Sequence, residues 1–224
     1  MSKLDFVAPK QKRQIFDWFE AAFEVTYLLV ASVCGIYMLF NASEPFKWLA
    51  GVMAIVLATG DAFHLIPRIA AVITGRNPKE VLGYGKLITS VTMTAFYVIL
   101  WHIGLLLFLP RLSWLFTAVV YLLAVSRITL CLLPQNAWCD RKDSANWAVY
   151  RNIPLVLLGL IVAVLFAIYM KTVPALQWLW LAVLLSFVFY LPIVLWSHKK
   201  RILYMLMLPK SLMYLWILIM FVSI

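Results

Sequence analysis

The chain has 224 residues, of which 65% are hydrophobic and 12% are charged, and its mean hydropathy is +0.96. This composition excludes an ordinary soluble domain and predicts an all-α, polytopic integral membrane protein. The net charge of +10 comes mainly from Lys and Arg residues beside the apolar runs. It therefore indicates a positive-inside bias and contact with anionic lipid head groups, and argues against nucleic-acid binding.

Seven apolar segments follow one another along the chain, each close to the roughly 20 residues that a bilayer core requires. We expect a single seven-helix membrane domain over residues 1–224. The predicted spans are about 21–40, 46–66, 87–109, 113–133, 150–170, 176–197 and 202–224. Residues 11–20 are predicted to form an amphipathic interfacial lead-in, the second span can continue as a helix to Gly75, and Gly83-Tyr84-Gly85 is typical of a loop.

Lys and Arg residues alternate between the connections. The amino-terminal segment and the connections after spans 2, 4 and 6 are rich in them, whereas the other connections are poor in them. The positive-inside rule then predicts a cytoplasmic amino terminus and a carboxyl terminus outside, in a plasma membrane of the bacterial inner-membrane type. The long polar loop at 134–147 separates four spans from three, so a 3+1+3 arrangement of two parallel repeats is a further hypothesis.

The second span carries an acid, an imidazole and a guanidinium in an otherwise apolar run. Asp61, His64 and Arg68 are spaced i, i+3 and i+7, which places them on one helical face. Ionisable residues inside a membrane span are costly and usually mark a functional or pairing site. We therefore predict that this face is central to the protein.

Other polar residues fall in the same, cytoplasmic half of their spans, which predicts a polar cavity open to the cytoplasm. The candidate catalytic residues are Asp61, His64 and Ser90, with Asp61 or His64 as the general base for a water molecule or for the Ser90 hydroxyl. The candidate substrate-binding residues are Arg68, Lys86, Tyr97, Arg127, Arg151, Asn152, Lys210 and Tyr214. Arginine forks suit a phosphate or a carboxylate.

A structural interpretation of the same residues stays open. Arg68, Lys86 and Arg151 lie near enough to span ends to extend into the head-group layer. Glu20 and Glu24 of the first span, together with Asp61, could neutralise the cations in a network that only holds the helices together.

No metal site or cofactor is predicted, because the three histidines are scattered and no nucleotide, haem or zinc-protease motif occurs. The string Gly60-Asp61-Ala62-Phe63-His64 resembles the second-span motif of seven-helix membrane hydrolases related to alkaline ceramidases and progestin/adiponectin-type receptors. Its Gly-Asp pair also resembles bacterial lysoplasmalogenase-type proteins. The serine of the hydrolases and the paired histidines of their last span have no counterpart here, so these few residues assign no family.

Three functions remain open at this point. The first is a protein that binds or acts on a lipid or amphiphile with an anionic head group, among them an intramembrane hydrolase or transferase. The second is a proton-coupled or facilitative transporter of a small anion or organic metabolite, with Asp61 as the coupling acid. The third is a structural or partner-binding membrane protein. The expected partners are anionic membrane lipids and a small amphiphilic or anionic ligand, and the sequence indicates no oligomeric state.

Overall fold

The computed structural model describes residues 10–75, 79–109, 113–139, 145–196 and 201–224. Within these ranges the chain is all-α, with seven α-helices and no strand. The helices are α1 (Lys10–Phe40), α2 (Pro45–Thr74), α3 (Lys79–Phe108), α4 (Trp114–Leu132), α5 (Ala145–Ile168), α6 (Leu179–Trp196) and α7 (Met207–Val222). Short 3-10 turns lie at Pro134–Asn136, Pro174–Leu176 and Arg201–Leu206. The all-α prediction is confirmed.

Six of the described helices, α1 to α6, are long and apolar enough to cross a membrane. The large hydrophobic side chains on the outside of the bundle, such as Phe40 and Leu122, are strongly exposed, as expected for a surface that faces lipid acyl chains. Together these features indicate an integral membrane protein.

Helix α7 is shorter than the other six, with 16 residues that rise about 24 Å. The predicted seventh span, 202–224, begins with the 3-10 turn Arg201–Leu206 and becomes α-helical at Met207. Pro209 explains the change, because its ring would clash with the carbonyl of the residue four positions earlier in a continuous α-helix. The start of α7 is therefore irregular just before Lys210.

Two helix boundaries bear on the sequence predictions. Helix α2 continues to Thr74 and ends at Gly75, whose φ of 69° is the left-handed C-cap conformation, so the predicted extension is confirmed. The prediction that Gly83-Tyr84-Gly85 forms a loop is wrong, because α3 already begins at Lys79. Both glycines are helical, and a side chain at either would overlap the backbone at Trp138 or Phe63. They permit close packing rather than a turn.

The seven helices form a ring in chain order. Each helix packs on the next one along the chain, α7 closes the ring on α1, and α3 also touches α5. The α2–α3 contact is especially close, since a side chain at Gly60 would overlap Thr92, and the Thr89 hydroxyl donates a 2.8 Å hydrogen bond to the Gly60 carbonyl. This contact sets which face of α2 packs against α3. Asp61, the next residue, is thereby directed towards α1 and α7.

Candidate functional site

Polar side chains from all seven helices lie at a similar depth in the bundle. One side of the bundle contains the end of α1 and the start of α2. Counted along each helix at 1.5 Å per residue, these side chains lie about 16 to 24 Å from the helix end on that side. We name this set the polar layer: Tyr27, Asp61, Tyr97, Arg127, Asn152, Tyr190 and Lys210. The layer brings together residues that lie far apart along the chain.

Asp61 interacts with residues of two other helices, one through a hydrogen bond and one through electrostatic attraction. Its Oδ2 accepts a 2.6 Å hydrogen bond from the Tyr27 hydroxyl of α1, and Lys210 of α7 lies within electrostatic range of its carboxyl group. The Lys210 ammonium lies 4.5 Å from the ring centroid of Tyr190 and 5.5 Å from that of Tyr214. Aromatic faces attract such a cation, so acid and rings together hold Lys210 in the bundle.

The predicted binding residues Tyr97 and Tyr214 are part of the helical core. Their hydroxyls lie 3.5 Å apart, and the Tyr97 hydroxyl is also 3.4 Å from the Ser186 hydroxyl. The Tyr97 ring stacks on Phe187 with a centroid distance of 5.6 Å. These contacts join α3, α6 and α7 beside Lys210.

Arg127 of α4 is the most deeply buried cation of the layer, with 1% of its surface exposed. Its Nη1 donates to the carbonyl of Arg151, and Tyr190 lies within electrostatic range. The Tyr190 hydroxyl itself donates a 2.9 Å hydrogen bond to Asn152 Oδ1. Among the described residues, the Arg127 Nε has no hydrogen-bond partner and no carboxylate oxygen lies within 4 Å of its guanidinium.

Arg151 is held by the segment that follows α4. Its Nη1 donates a 2.9 Å hydrogen bond to Asn136 Oδ1, and its guanidinium lies 4.1 Å from the Trp138 ring centroid. The Asn136 amide nitrogen in turn donates to the carbonyls of Leu130 and Leu133 at the end of α4. Arg151 therefore ties the start of α5 to the end of α4, which favours a structural role.

Arg68 forms the two ion pairs found among the described residues. Its guanidinium contacts the carboxylates of Glu20 and Glu24, the latter at 2.9 Å, and so joins α2 to α1. A small cavity of about 20 Å³, with room for roughly one water molecule, adjoins this cluster. Its walls include Tyr27 and Ser211. The larger cytoplasmic cavity expected from the sequence stays a prediction.

The remaining candidates lie on the same side of the layer but are not joined to Asp61. The Ser90 hydroxyl donates a 2.8 Å hydrogen bond to the Lys86 carbonyl within α3, and Lys86 is exposed. Within the described part of the chain, neither Asp61 nor His64 is hydrogen-bonded to Ser90, and the buried His64 Nδ1 has no partner. Their catalytic roles stay predictions.

Several residues that the sequence analysis did not select complete this arrangement. Tyr27 follows Glu20 and Glu24 at i+7 and i+3, so extending that face of the first helix would have found it. Tyr190 lies beside Pro192 in an evenly apolar helix, where no periodicity distinguishes it. Asn136 lies in the short 3-10 turn after α4, where only the structure reveals its role.

Comparisons of this chain with protein-family models, with curated proteins and with solved structures found no match.

Proposed function

We propose that this chain binds, from the cytoplasmic side, a lipid or amphiphile with an anionic head group, and acts on it as an intramembrane hydrolase or transferase. In this proposal all seven helices span a plasma membrane of the bacterial inner-membrane type, with the amino terminus in the cytoplasm and the carboxyl terminus outside. The alternation of Lys and Arg between the connections supports this orientation.

The observation that carries the proposal is Arg127. A buried charge is costly unless a counter-charge and hydrogen bonds compensate it. Arg127 is almost completely buried, yet among the described residues it lacks a carboxylate partner and its Nε makes no hydrogen bond. An anionic ligand would supply both. The neighbouring Tyr190 and Asn152 would contribute polar contacts, and the apolar helices around them would hold an acyl chain.

The chemistry, in this proposal, depends on Asp61. Its Oδ2 accepts a hydrogen bond from the Tyr27 hydroxyl. As a general base, the carboxylate would take a proton from a water molecule that attacks the ligand. Ser90 is the less favoured nucleophile, because its hydroxyl is engaged by the Lys86 carbonyl. His64, one turn along α2, is the second candidate base.

The test measures lipid binding and turnover of the purified protein and of Arg127→Gln. Anionic, zwitterionic and uncharged lysolipids with one acyl chain in common are titrated in detergent, with tryptophan fluorescence as the signal, and products are sought by mass spectrometry. A hydrogen bond to a charged group contributes roughly 1.5 to 3 kcal/mol, so Arg127→Gln should weaken binding of the anionic lysolipid about 10- to 150-fold. Lys171→Gln removes an exposed cation elsewhere and should leave binding unchanged.

Equal affinity of the parent protein and Arg127→Gln for every lysolipid would refute the proposal.

A transporter is the second candidate function. The half-buried Asp61 near Lys210 favours it, because binding of a proton to the Asp61 carboxylate would weaken its attraction for Lys210 and allow both groups to change partners. Counterflow of small organic anions in liposomes, abolished by Asp61→Asn, would support transport. Failure of both assays would leave a structural or partner-binding role.

A further inference from the structure

A row of polar side chains on α1 connects Asp61 with one side of the bundle. Glu20, Glu24 and Tyr27 are spaced i, i+4 and i+7, so they lie on one face of that helix. They extend over about 10 Å along the helix axis, with Glu20 nearest the helix end and Tyr27 deepest in the bundle. The deepest of the three contacts Asp61 directly, through its hydroxyl.

Tyr27 lies between Asp61 and the small cavity beside the α1–α2 ion pairs. Its side chain forms part of the cavity wall, and its hydroxyl donates the 2.6 Å hydrogen bond to Asp61 Oδ2. Asp61 does not belong to the set of described residues that form the wall. Tyr27 is therefore the residue that links the cavity to Asp61.

The cavity suits a single water molecule. Its volume is about 20 Å³, and its wall includes, besides Tyr27, the polar side chains of Glu20, Glu24, Arg68 and Ser211. A buried water needs two to four polar partners, and this wall offers them. Because the space holds roughly one molecule, a water inside it lies next to Glu24 and Tyr27 at the same time.

Glu20 and Glu24 can take up a proton without leaving Arg68 uncompensated. Both carboxylates contact the same guanidinium. Two neighbouring carboxylates repel each other, so binding of a proton to one of them relieves the repulsion while the other still compensates the cation. The pair therefore suits the exchange of a proton with water.

From this arrangement, and resting on the role of Asp61 in the function proposed above, we propose that Glu24, one water molecule and Tyr27 form a proton relay between Asp61 and the Arg68 side of the bundle. This side is cytoplasmic in the proposed orientation. Towards Asp61, the Glu24 carboxyl gives its proton to the water, the water gives one to the Tyr27 oxygen, and the Tyr27 hydroxyl proton passes to Asp61 Oδ2. One proton leaves Glu24 and one arrives at Asp61, while the water and Tyr27 end neutral.

The reverse sequence gives the relay its purpose in the proposed reaction. A general base that takes a proton from water must lose that proton before the next turnover. Asp61 would pass it through Tyr27 and the cavity water to Glu24, and from there Glu20, which contacts the same guanidinium and lies nearer the helix end, leads to the aqueous phase.

Other groups affect the equilibrium between ionised and protonated Asp61. The charged and titratable groups around Asp61 and the neighbouring His64 are Tyr27 and Glu24 of α1, Arg68 of α2, Lys86 of α3, and Lys210 and Tyr214 of α7. They set the ratio of the two forms. The relay sets the rate at which this ratio is reached, so the two effects can be measured separately.

The test measures how fast Asp61 gains and loses a proton in the full-length protein in detergent. Infrared spectroscopy follows the carboxylic-acid C=O stretch after pH jumps in both directions. Isotope-labelled aspartate separates this band from those of the glutamates, and its loss in Asp61→Asn assigns it. We expect Tyr27→Phe to lower both rates by about a hundredfold, the lower end of what a positioned proton donor contributes.

A purely structural role of Tyr27 would give a different result. Loss of the hydrogen bond alone favours one form of Asp61 over the other and so alters the ratio of the two rates, whereas loss of the relay lowers both. Tyr37→Phe is the matched control, because Tyr37 is an exposed tyrosine of the same helix, and both rates should stay unchanged. Glu24→Gln interrupts an earlier step and should also lower both rates, so it decides the question if Tyr27→Phe does not fold.

Two results would overturn the relay. The first is a pair of rates in folded Tyr27→Phe or Glu24→Gln that equals the pair in the parent protein, and this result would leave the proposed function untouched. The second is an Asp61 that keeps one protonation state at every pH at which the protein stays folded. This second result would also refute the role of Asp61 as a general base.

Discussion

Replacing Tyr27 with phenylalanine removes one hydroxyl and leaves the ring in place. Tyr27 is 1% exposed, and its hydroxyl donates the 2.6 Å hydrogen bond to Asp61. Hydrogen bonds to charged groups contribute roughly 1.5 to 3 kcal/mol, whereas those between membrane helices average about 0.6 kcal/mol. Because the acceptor is a carboxylate with few alternatives, we expect Tyr27→Phe to reduce the free energy of unfolding by about 1.5 kcal/mol or more. Unfolding in mixed micelles, followed by circular dichroism, measures the change.

Tyr214→Phe is the matched control. Tyr214 is 3% exposed, and among the described residues its hydroxyl interacts with those of Tyr97, at 3.5 Å, and Ser186, which are both uncharged, so we expect a loss of about 0.6 kcal/mol or less. In an Asp61→Asn background the effect of Tyr27→Phe should shrink, because the two changes remove the same interaction. Equal losses for Tyr27→Phe and Tyr214→Phe, or full additivity with Asp61→Asn, would refute the reasoning.

Two further predictions concern the α1–α2 ion pairs and the topology. Arg68→Met should lower the free energy of unfolding by about 1 to 3 kcal/mol, a range between the contributions of exposed and buried ion pairs. The pairs are of this intermediate kind, because the Arg68 side chain is 26% exposed and those of Glu20 and Glu24 are 10% and 7% exposed. Thermal unfolding in detergent measures this, and Lys86→Met, at an exposed position, should change stability by less than about 0.5 kcal/mol. Single cysteines at 76–80, 140–143 and 199–201 should react only with reagents added from the cytoplasmic side, and labelling of any one from outside would contradict the seven-span topology.

The number and class of the helices could be predicted from the sequence, because long apolar runs without charges leave few alternatives in a membrane. The boundaries were harder. Gly83 and Gly85 suggested a loop, but the space that they leave is filled by the backbone of other segments, and no local pattern contains that information. Pro209 was visible in the sequence, yet whether it kinks a span or ends an α-helix depends on the packing around it.

The candidate site was predictable in part. The spacing of Asp61 and Arg68 predicted a shared face, and in the structure both residues contact α1. Which residues they contact depends on how the ring closes, so Tyr27 did not follow from the spacing within the second span. Arg151 illustrates the opposite case: the sequence left open whether this cation binds a ligand or extends into the head-group layer, and the structure gives it Asn136 and Trp138 as partners.

The ring of helices in chain order also bears on how the protein is synthesised and inserted. An aspartate in a membrane helix costs roughly 2.5 to 3.5 kcal/mol during translocon-mediated insertion. Helix α1, which carries Tyr27, precedes α2 and packs on it, so a hydrogen-bond donor for Asp61 is already in the membrane when α2 arrives. Lys210 is added only with the last helix, which packs on α1. The order of synthesis therefore provides Asp61 first with a neutral hydrogen-bond donor and only later with a cation within electrostatic range.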